Sequence, residues 1–126
     1  IRDFIQLDAT YGHNLVQTNV NSLTQLSLSF GIVFQQRNSK CGARSAIVNV
    51  SSMASIMPMP GSAIYGASKS FVDYLSRAIG YELKSCVDVM SVRPGFVSTG
   101  MTNYLEPGFE VISPQACAQG VFDALG

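Results

Sequence analysis

The sequence is poor in the residues that mark several classes of protein. It has no tryptophan, one histidine and three cysteines, and only 13% of its residues are charged. The histidine, His13, has no partner at metal-ligand spacing, and the cysteines are widely spaced without a CxxC pair. These features argue against a metal site and against a disulfide framework. We therefore expect reduced thiols, as in intracellular proteins.

Charge and hydropathy exclude other partners. The chain carries 8 basic and 8 acidic side chains, for a formal net charge of zero, and has no run of lysine or arginine. This argues against binding to nucleic acid or to an acidic membrane surface. The longest apolar stretches, such as residues 45–50, are too short to span a bilayer. With 126 residues, 47% of them hydrophobic, the chain is long enough to bury a core.

Hydrophobic spacing predicts helices and strands in alternation. The predicted order is a helix over 12–36, a polar loop over 35–44, a strand over Ser45–Val50, a loop over 51–62, a helix over 63–84, a strand over Val87–Val92, irregular structure over 96–112, and a helix that begins at Ser113-Pro114 and ends near Leu125. The first strand is rich in β-branched residues, which is typical of a strand buried on both faces. Ser113 before Pro114 is a favourable helix start, with serine as the N-cap.

This alternation predicts an α/β protein with an open, doubly wound parallel sheet. Two strands are too few to form a stable sheet of that kind. We therefore expect residues 1–126 to be part of one larger domain, corresponding to its C-terminal portion.

The sharpest chemical feature is Tyr65 followed by Lys69. Four residues apart on a predicted helix, they share one face. A free tyrosine has a pKa of about 10, so a phenol that works near neutral pH needs a nearby positive charge to favour phenolate. A tyrosine and a lysine at this spacing also occur by chance in many helices, so the pair by itself is weak.

Ser52 gives the pair more weight, because it directly follows the predicted strand 45–50. Open α/β sheets bind ligands at the carboxyl ends of their strands. A hydroxyl there can donate to a substrate oxygen and stabilise developing charge. The alternative is that Ser51 and Ser52 only satisfy backbone groups at the strand end, a role that fits Ser51 better.

Three segments together resemble the classical short-chain dehydrogenase/reductases. They are Asn-Val-Ser-Ser at 49–52, Tyr-Gly-Ala-Ser-Lys at 65–69 and Arg-Pro-Gly-Phe-Val-Ser-Thr at 93–99. The resemblance covers nearly the whole chain. It implies a Rossmann-type fold and an NAD(P)(H)-dependent oxidoreductase that interconverts a carbonyl and a secondary alcohol. It also implies that Ser52 orients the substrate, that Tyr65 is the acid/base, and that Lys69 binds the ribose hydroxyls and activates the tyrosine.

The same resemblance implies roles for other residues. Asn19 matches the helix asparagine that holds a proton-relay water. Asn21 is the alternative, but Asn19 fits the motif position better; its other reading is a buried amide that bends the helix. The implied catalytic residues are Asn19, Ser52, Tyr65 and Lys69, and the implied cofactor-binding residues are Tyr65, Lys69, Pro94, Gly95, Val97 and Thr99.

Finer features resemble one branch of the family. Residues 57–60, 70–76 and 97–102 are similar to 3-oxoacyl-CoA reductases and the related 17-beta-hydroxysteroid dehydrogenases. This implies NADP(H), with NAD(H) as the alternative, and an acyl-CoA or steroid substrate in fatty-acid elongation or steroid metabolism. It also implies a place at the endoplasmic reticulum, otherwise in the cytoplasm. The Arg-Pro-Gly at 93–95 departs from the leucine-proline form common in this branch.

The family resemblance also implies a homodimer or homo-oligomer formed through the helices predicted over 12–36 and 63–84. Val72, Leu75 and Ile79 would then be partly interfacial; the alternative is that they cover the sheet.

The sequence does not contain the family's glycine-rich turn or its Asn-Asn-Ala-Gly segment, and no acidic residue follows a second strand. Those parts hold the pyrophosphate and adenosine at a helix N-terminus. The chain therefore carries half of the implied cofactor site. Two readings stay open, a working carbonyl reductase and a truncated, catalytically inactive structural or scaffold subunit.

Overall fold

The computed structural model describes residues 3–125. Its helices are α1 (Ala9–Val16), α2 (Ser22–Cys41), α3 (Ala63–Glu82) and α4 (Pro114–Leu125), and its strands are β1 (Ser45–Val50), β2 (Val87–Val92), β3 (Phe96–Val97) and β4 (Val111–Ile112). A π-helical turn over Gln17–Asn21 joins α1 to α2, and 3₁₀ turns cover Phe4–Gln6, Met53–Ser55 and Gly100–Thr102. The chain divides into two compact units between Val92 and Arg93.

The first unit is built on a parallel pair of strands. β1 and β2 pair in register from Ser45 opposite Val87 to Val50 opposite Val92. The helix α3 connects them, because parallel strands need a long crossover. The predicted α/β class and the bounds of both strands are confirmed, and the helix predicted over 63–84 is confirmed with its end at Glu82.

The prediction that β1 is buried on both faces is wrong for the described chain. Exposed and buried residues alternate along the strand: Ile47 and Asn49 are buried, whereas Val48 and Val50 are exposed. The exposed Ala46 and Val48 line an open apolar groove of about 340 Å³ between α2 and β1. A strand in that position has the composition of a fully buried strand but is covered on one face.

The core of the first unit gathers apolar side chains from both strands and from the ends of two helices. Buried Ile47, Cys86 and Val87 pack with the partly buried Phe34, Leu83 and Val89. Val72 of α3 is also 1% exposed. Burying one such valine stabilises the fold by about 1.5–3 kcal/mol. Val72 is therefore covered within the chain, as the sheet-covering alternative predicted, and the oligomeric state stays a prediction.

A buried polar contact fixes α3 against β1. The Asn49 amide donates to the Ser76 hydroxyl at 3.0 Å, and that hydroxyl donates to the Val72 carbonyl at 2.7 Å. Asn49 is 8% and Ser76 is 1% exposed. Because both polar groups have partners, they avoid the cost of about 1–3 kcal/mol that an unpaired buried group carries.

The first predicted helix has the wrong limits. Helical structure begins at Ala9 instead of residue 12 and continues to Cys41, so the polar loop predicted to start at Gln35 is largely helix. Asp8 caps the start by accepting the Thr10 N–H at 3.1 Å. The end comes at Gly42, whose φ of 70° is the left-handed conformation that glycine adopts without strain.

An exposed ion pair joins the start of β1 to β2. Arg44 binds Asp88 at 2.6 Å and also donates to the carbonyls of Lys84 and Ser85. The hydrogen bond from Arg44 lowers the pKa of Asp88 below its ordinary value of 3.8. A carboxylate with a lowered folded pKa stabilises the fold above its unfolded pKa, and this contribution is lost as the pH falls through the folded pKa.

We expect Arg44→Ala to lower the midpoint of thermal unfolding at pH 7, with a difference from wild type that narrows as the pH falls below 3.8. Thermal unfolding followed by circular dichroism at several pH values measures this. Arg37→Ala, which removes an exposed arginine from α2, is the matched control. A difference that stays constant across acidic pH would show that the Asp88 interaction contributes nothing.

The second unit contains a short parallel pair and α4. Phe96 pairs with Val111 and Val97 with Ile112, so the prediction that residues 96–112 are irregular throughout is wrong at both ends. Two-residue strands carry too little pattern to be predicted. The helix start at Ser113 is confirmed: its hydroxyl accepts the Ala116 N–H at 3.1 Å, and Pro114 is the first helical residue.

The three cysteines form no disulfide in this structure; Cys86 is buried and Cys41 is exposed. None of the helices within residues 3–125 combines the length and the hydropathy that a membrane span needs. The same residues contain no group of three or more histidine, cysteine or acidic side chains that could hold a metal ion.

Candidate active site

The carboxyl end of β1 carries two serines with different surroundings. Ser51 is 3% exposed, its N–H donates to the Val92 carbonyl at 2.7 Å, and its hydroxyl donates to the Lys69 carbonyl at 2.7 Å. Ser52 is only partly buried, and its hydroxyl accepts the Ala54 N–H at 3.2 Å. Ser51 therefore satisfies backbone groups at the end of the strand. This is the role that the sequence favours for Ser51 over Ser52. Ser52 starts a 3₁₀ turn and keeps a hydroxyl proton to donate.

Lys69 reaches back from α3 to the same strand end. Its ammonium donates to the Val50 carbonyl at 2.9 Å and lies 5.8 Å from the centre of the Tyr65 ring. Burial lowers the pKa of Lys69 below its ordinary value of 10.5, because the charged form loses contact with water. The ammonium thus adjoins the ring of Tyr65, as the spacing on one helix face predicted, and it also bonds to the end of β1.

Asn19 lies in the π-helical turn and contacts α3. Its amide donates to the Ser68 hydroxyl at 3.0 Å, and Ser68 in turn donates to the Tyr65 carbonyl at 2.7 Å. Asn21 instead is exposed and donates to the Gln17 side chain at 2.8 Å. The structure therefore brings Asn19, and not Asn21, to the helix that holds Tyr65 and Lys69. π-Helical turns are often found at functional sites.

Small residues on α3 allow its close approach to the segment after Ser52, a feature the sequence did not single out. A Cβ at Gly66 would lie 3.1 Å from the Ala54 carbonyl oxygen. The Ser70 hydroxyl donates to the Ser55 carbonyl at 2.9 Å. The small side chains that surround Tyr65 and Lys69 in the sequence indicate that another segment packs closely against this helix. They do not indicate which segment it is.

The predicted cofactor-binding segment 94–99 belongs to the second unit and is held by a local network. The Thr102 hydroxyl donates to the Val97 carbonyl at 2.6 Å and accepts the Thr99 N–H at 3.0 Å. Pro94, Val97 and Thr99 are partly buried, and Gly95 is exposed. Two hydrogen bonds with the Thr102 hydroxyl therefore hold the backbone at Val97 and Thr99.

The apolar groove between α2 and β1 contains none of the predicted site residues. Its lining has no titratable side chain, so it offers no acid, base or nucleophile. The lining residues are Leu23, Leu26, Ser27, Phe30, Phe34, Ala46, Ile47, Val48 and Asn49.

Comparison with known proteins places these features in context. Residues 2–108 match the family model described as short chain dehydrogenase. A very-long-chain 3-oxoacyl-CoA reductase of Anas platyrhynchos is 36% identical over 85 residues, which are 67% of this chain and 27% of that protein. Very-long-chain 3-oxoacyl-CoA reductase-A of Danio rerio is 28% identical over 113 residues, 89% of this chain and 34% of that protein. The chain therefore spans about a third of these relatives, and the resemblance to the 3-oxoacyl-CoA reductase branch is confirmed.

Solved structures agree on the fold. A short-chain dehydrogenase from Sphingobium yanoikuyae, in complex with NADPH, superposes with a TM-score of 0.84 at 28% identity; the match covers 98% of this chain and 48% of that one. The bulky-bulky ketone specific alcohol dehydrogenase of Comamonas testosteroni gives a TM-score of 0.82 at 25% identity, over 99% of this chain and 46% of that one. The described strands and helices thus correspond to part of a Rossmann-type fold.

Proposed function

Because the chain belongs to the short-chain dehydrogenase family, we propose that it takes part in the NADP(H)-dependent interconversion of a carbonyl and a secondary alcohol. The single observation that carries this proposal is the position of the Lys69 ammonium, 2.9 Å from the Val50 carbonyl and 5.8 Å from the centre of the Tyr65 ring. It puts a positive charge beside a phenol at the carboxyl end of a parallel strand, where open α/β sheets bind ligands.

Each proposed residue role follows from a chemical property. Tyr65 exchanges a proton with the substrate oxygen, and a nearby ammonium favours the phenolate that accepts it. The Ser52 hydroxyl donates a hydrogen bond to the same oxygen and stabilises the charge that develops there. Asn19 holds the relay that returns a proton to Tyr65. These roles agree with the family resemblance of segments 49–52 and 65–69.

The residues of this chain fit the nicotinamide-ribose part of the cofactor. An ammonium has three donors, so the bond to the Val50 carbonyl leaves Lys69 two for the ribose hydroxyls. The cofactor contacts predicted for Pro94, Gly95, Val97 and Thr99, which belong to the second unit, stay a prediction. When bound, the cofactor supplies the hydride. We propose NADP(H) as the cofactor, with NAD(H) as the alternative; the sequence resemblance to the 3-oxoacyl-CoA reductase branch and the similar short-chain dehydrogenase in complex with NADPH support this.

The segment between Ser52 and Tyr65 supports an apolar substrate. Met53, Ile56, Met57 and Met59 are 45%, 53%, 62% and 42% exposed. Flexible thioethers beside a catalytic site adapt to long apolar ligands. We propose a 3-oxoacyl-CoA as substrate because the relatives are named very-long-chain 3-oxoacyl-CoA reductases; a ketosteroid is the alternative. The resemblance to this family branch also suggests a place at the endoplasmic reticulum.

The test is the oxidation of NADPH by the full-length protein with 3-oxoacyl-CoA substrates of increasing chain length. We expect Ser52→Ala to lower kcat by about 10²- to 10³-fold, because the variant loses a donor to the developing oxyanion. Ser39→Ala removes an exposed hydroxyl that bonds to its own helix, and it should retain wild-type turnover. Equal rates for wild type and Ser52→Ala would contradict the role of Ser52.

The alternative reading, a catalytically inactive structural or scaffold subunit, stays a prediction. A protein of that kind would bind no dinucleotide. Titration with NADPH, followed by its fluorescence enhancement, separates the two readings. A saturable enhancement supports the reductase, and its absence in the full-length protein supports the scaffold.

A further inference from the structure

Ser68 occupies a position in α3 that joins two parts of the site. It lies between Tyr65 and Lys69 in the sequence and is 4% exposed. Its hydroxyl donates to the Tyr65 carbonyl at 2.7 Å and accepts the Asn19 amide at 3.0 Å. A hydroxyl has one proton to donate and lone pairs to accept. Ser68 uses both capacities, one toward its own helix and one toward the π-helical turn.

The contact has a cost if it is lost. Asn19 is partly buried, so water does not freely take the place of the Ser68 hydroxyl as the partner of its amide. An amide left unpaired in that environment turns toward another partner or lets water in. Either change moves Asn19 relative to α3. The two residues are 49 positions apart in the chain, so local helix geometry alone does not restore the contact.

We propose that Ser68 is a positioning residue for the reaction, acting through Asn19. By tying the Asn19 side chain to the backbone of Tyr65, it holds the π-helical turn in one place relative to the Tyr65–Lys69 pair. Proton transfer depends on geometry within about 0.5 Å, so the step most sensitive to this contact is proton delivery to Tyr65. The inference rests on the proposed reductase function.

A purely structural role for Ser68 makes a different prediction. Serine hydroxyls often bond to the carbonyl one turn back in a helix, as this one does to Tyr65. If that were its whole role, Ser68→Ala would change stability without changing the chemistry. The solvent deuterium isotope effect on kcat separates the two roles, because it reports how far proton transfer limits the rate.

The test is a double-mutant cycle in the full-length protein with NADPH and a 3-oxoacyl-CoA. We expect Ser68→Ala and Asn19→Ala each to lower kcat by about five- to tenfold. The double variant should be no slower than the slower single variant, whereas independent effects would multiply to about 25-fold or more. The solvent isotope effect should rise in all three variants, with the KM for NADPH unchanged.

Several outcomes overturn the proposal. They are multiplicative effects in the cycle, wild-type kcat in Ser68→Ala, and an isotope effect that stays at the wild-type value. Asn21→Ala combined with Ser68→Ala is the matched control cycle, and it should be multiplicative because Asn21 bonds to Gln17. If Ser68→Ala does not fold, Ser68→Cys replaces it: the thiol is close to the hydroxyl in size but is a weak hydrogen-bond donor and acceptor. The same loss of kcat supports the proposal, and wild-type behaviour overturns it.

Failure of this inference differs from failure of the proposed function. If Tyr65→Phe retains turnover, the reductase mechanism is wrong and the role of Ser68 falls with it. If Tyr65→Phe is inactive while Ser68→Ala behaves as wild type, the mechanism stands and only the role of Ser68 is wrong.

Discussion

Tyr65→Phe is expected to lower kcat for carbonyl reduction by about 10²- to 10⁴-fold, the usual contribution of a positioned acid or base. The substitution removes one oxygen and leaves the ring, so the cation–π contact between the ring and the Lys69 ammonium at 5.8 Å remains. The free energy of unfolding should change by less than about 1 kcal/mol. NADPH oxidation and chemical denaturation of the same preparations measure both quantities.

The chain offers a matched control for this prediction on the same helix. Tyr74 is 74% exposed, and Tyr74→Phe makes the same chemical change at the surface. It should leave kcat at the wild-type value. Turnover of Tyr65→Phe above about a tenth of wild type would exclude the phenol as the acid/base.

Lys69→Met is expected to lower kcat/KM by about 10²-fold or more. The variant loses the ammonium beside Tyr65 and its charged hydrogen bonds, each of which contributes about 1.5–3 kcal/mol. Methionine keeps the length of the side chain, so packing changes little. Lys84→Met, at an exposed position after α3, is the control and should keep wild-type kinetics. A loss confined to kcat, with unchanged affinity for NADPH, would contradict a role for Lys69 at the ribose.

Lys69→Met should also differ from wild type in how its free energy of unfolding depends on pH. Burial lowers the pKa of Lys69 below 10.5, so between the folded pKa and 10.5 the unfolded chain binds the extra proton. Raising the pH through that window therefore favours the folded state of the wild type. The stability of wild type minus that of Lys69→Met should rise with pH there and be constant at lower pH. Urea denaturation of both proteins from pH 7 to 10.5 checks this, and a difference that falls with pH would refute it.

The fold was predictable where the sequence pattern has one physical cause. The β-branched runs that became β1 and β2 were bounded correctly, because turn residues flank them on both sides. The end of α2 was not, because Gln35, Arg37 and Lys40 are polar but also favour helices. The polar side chains there mark an exposed helical turn and not the predicted loop. The π-helical turn over Gln17–Asn21 has no sequence signal comparable to a cap.

The candidate site was predictable in its residue types and less so in its connections. Ser52 after a strand, and Tyr65 four residues before Lys69, are local patterns whose geometry follows from the strand and the helix themselves. The bond from Asn19 to Ser68 depends on how two helices pack, which no spacing within either helix determines. For the same reason the sequence pointed to small residues around Tyr65 without indicating that Gly66 lies against the Ala54 carbonyl.

The two bonds between Lys69 and the strand end have an entropic consequence. The Ser51 hydroxyl holds the Lys69 carbonyl while the Val50 carbonyl holds its ammonium. A lysine side chain loses about 1.5–2 kcal/mol of rotamer freedom when it is fixed. Here that ordering takes place as the protein folds, before any ligand arrives. A molecule that binds to this ammonium therefore meets an already immobilised cation, and more of its interaction free energy is retained as affinity.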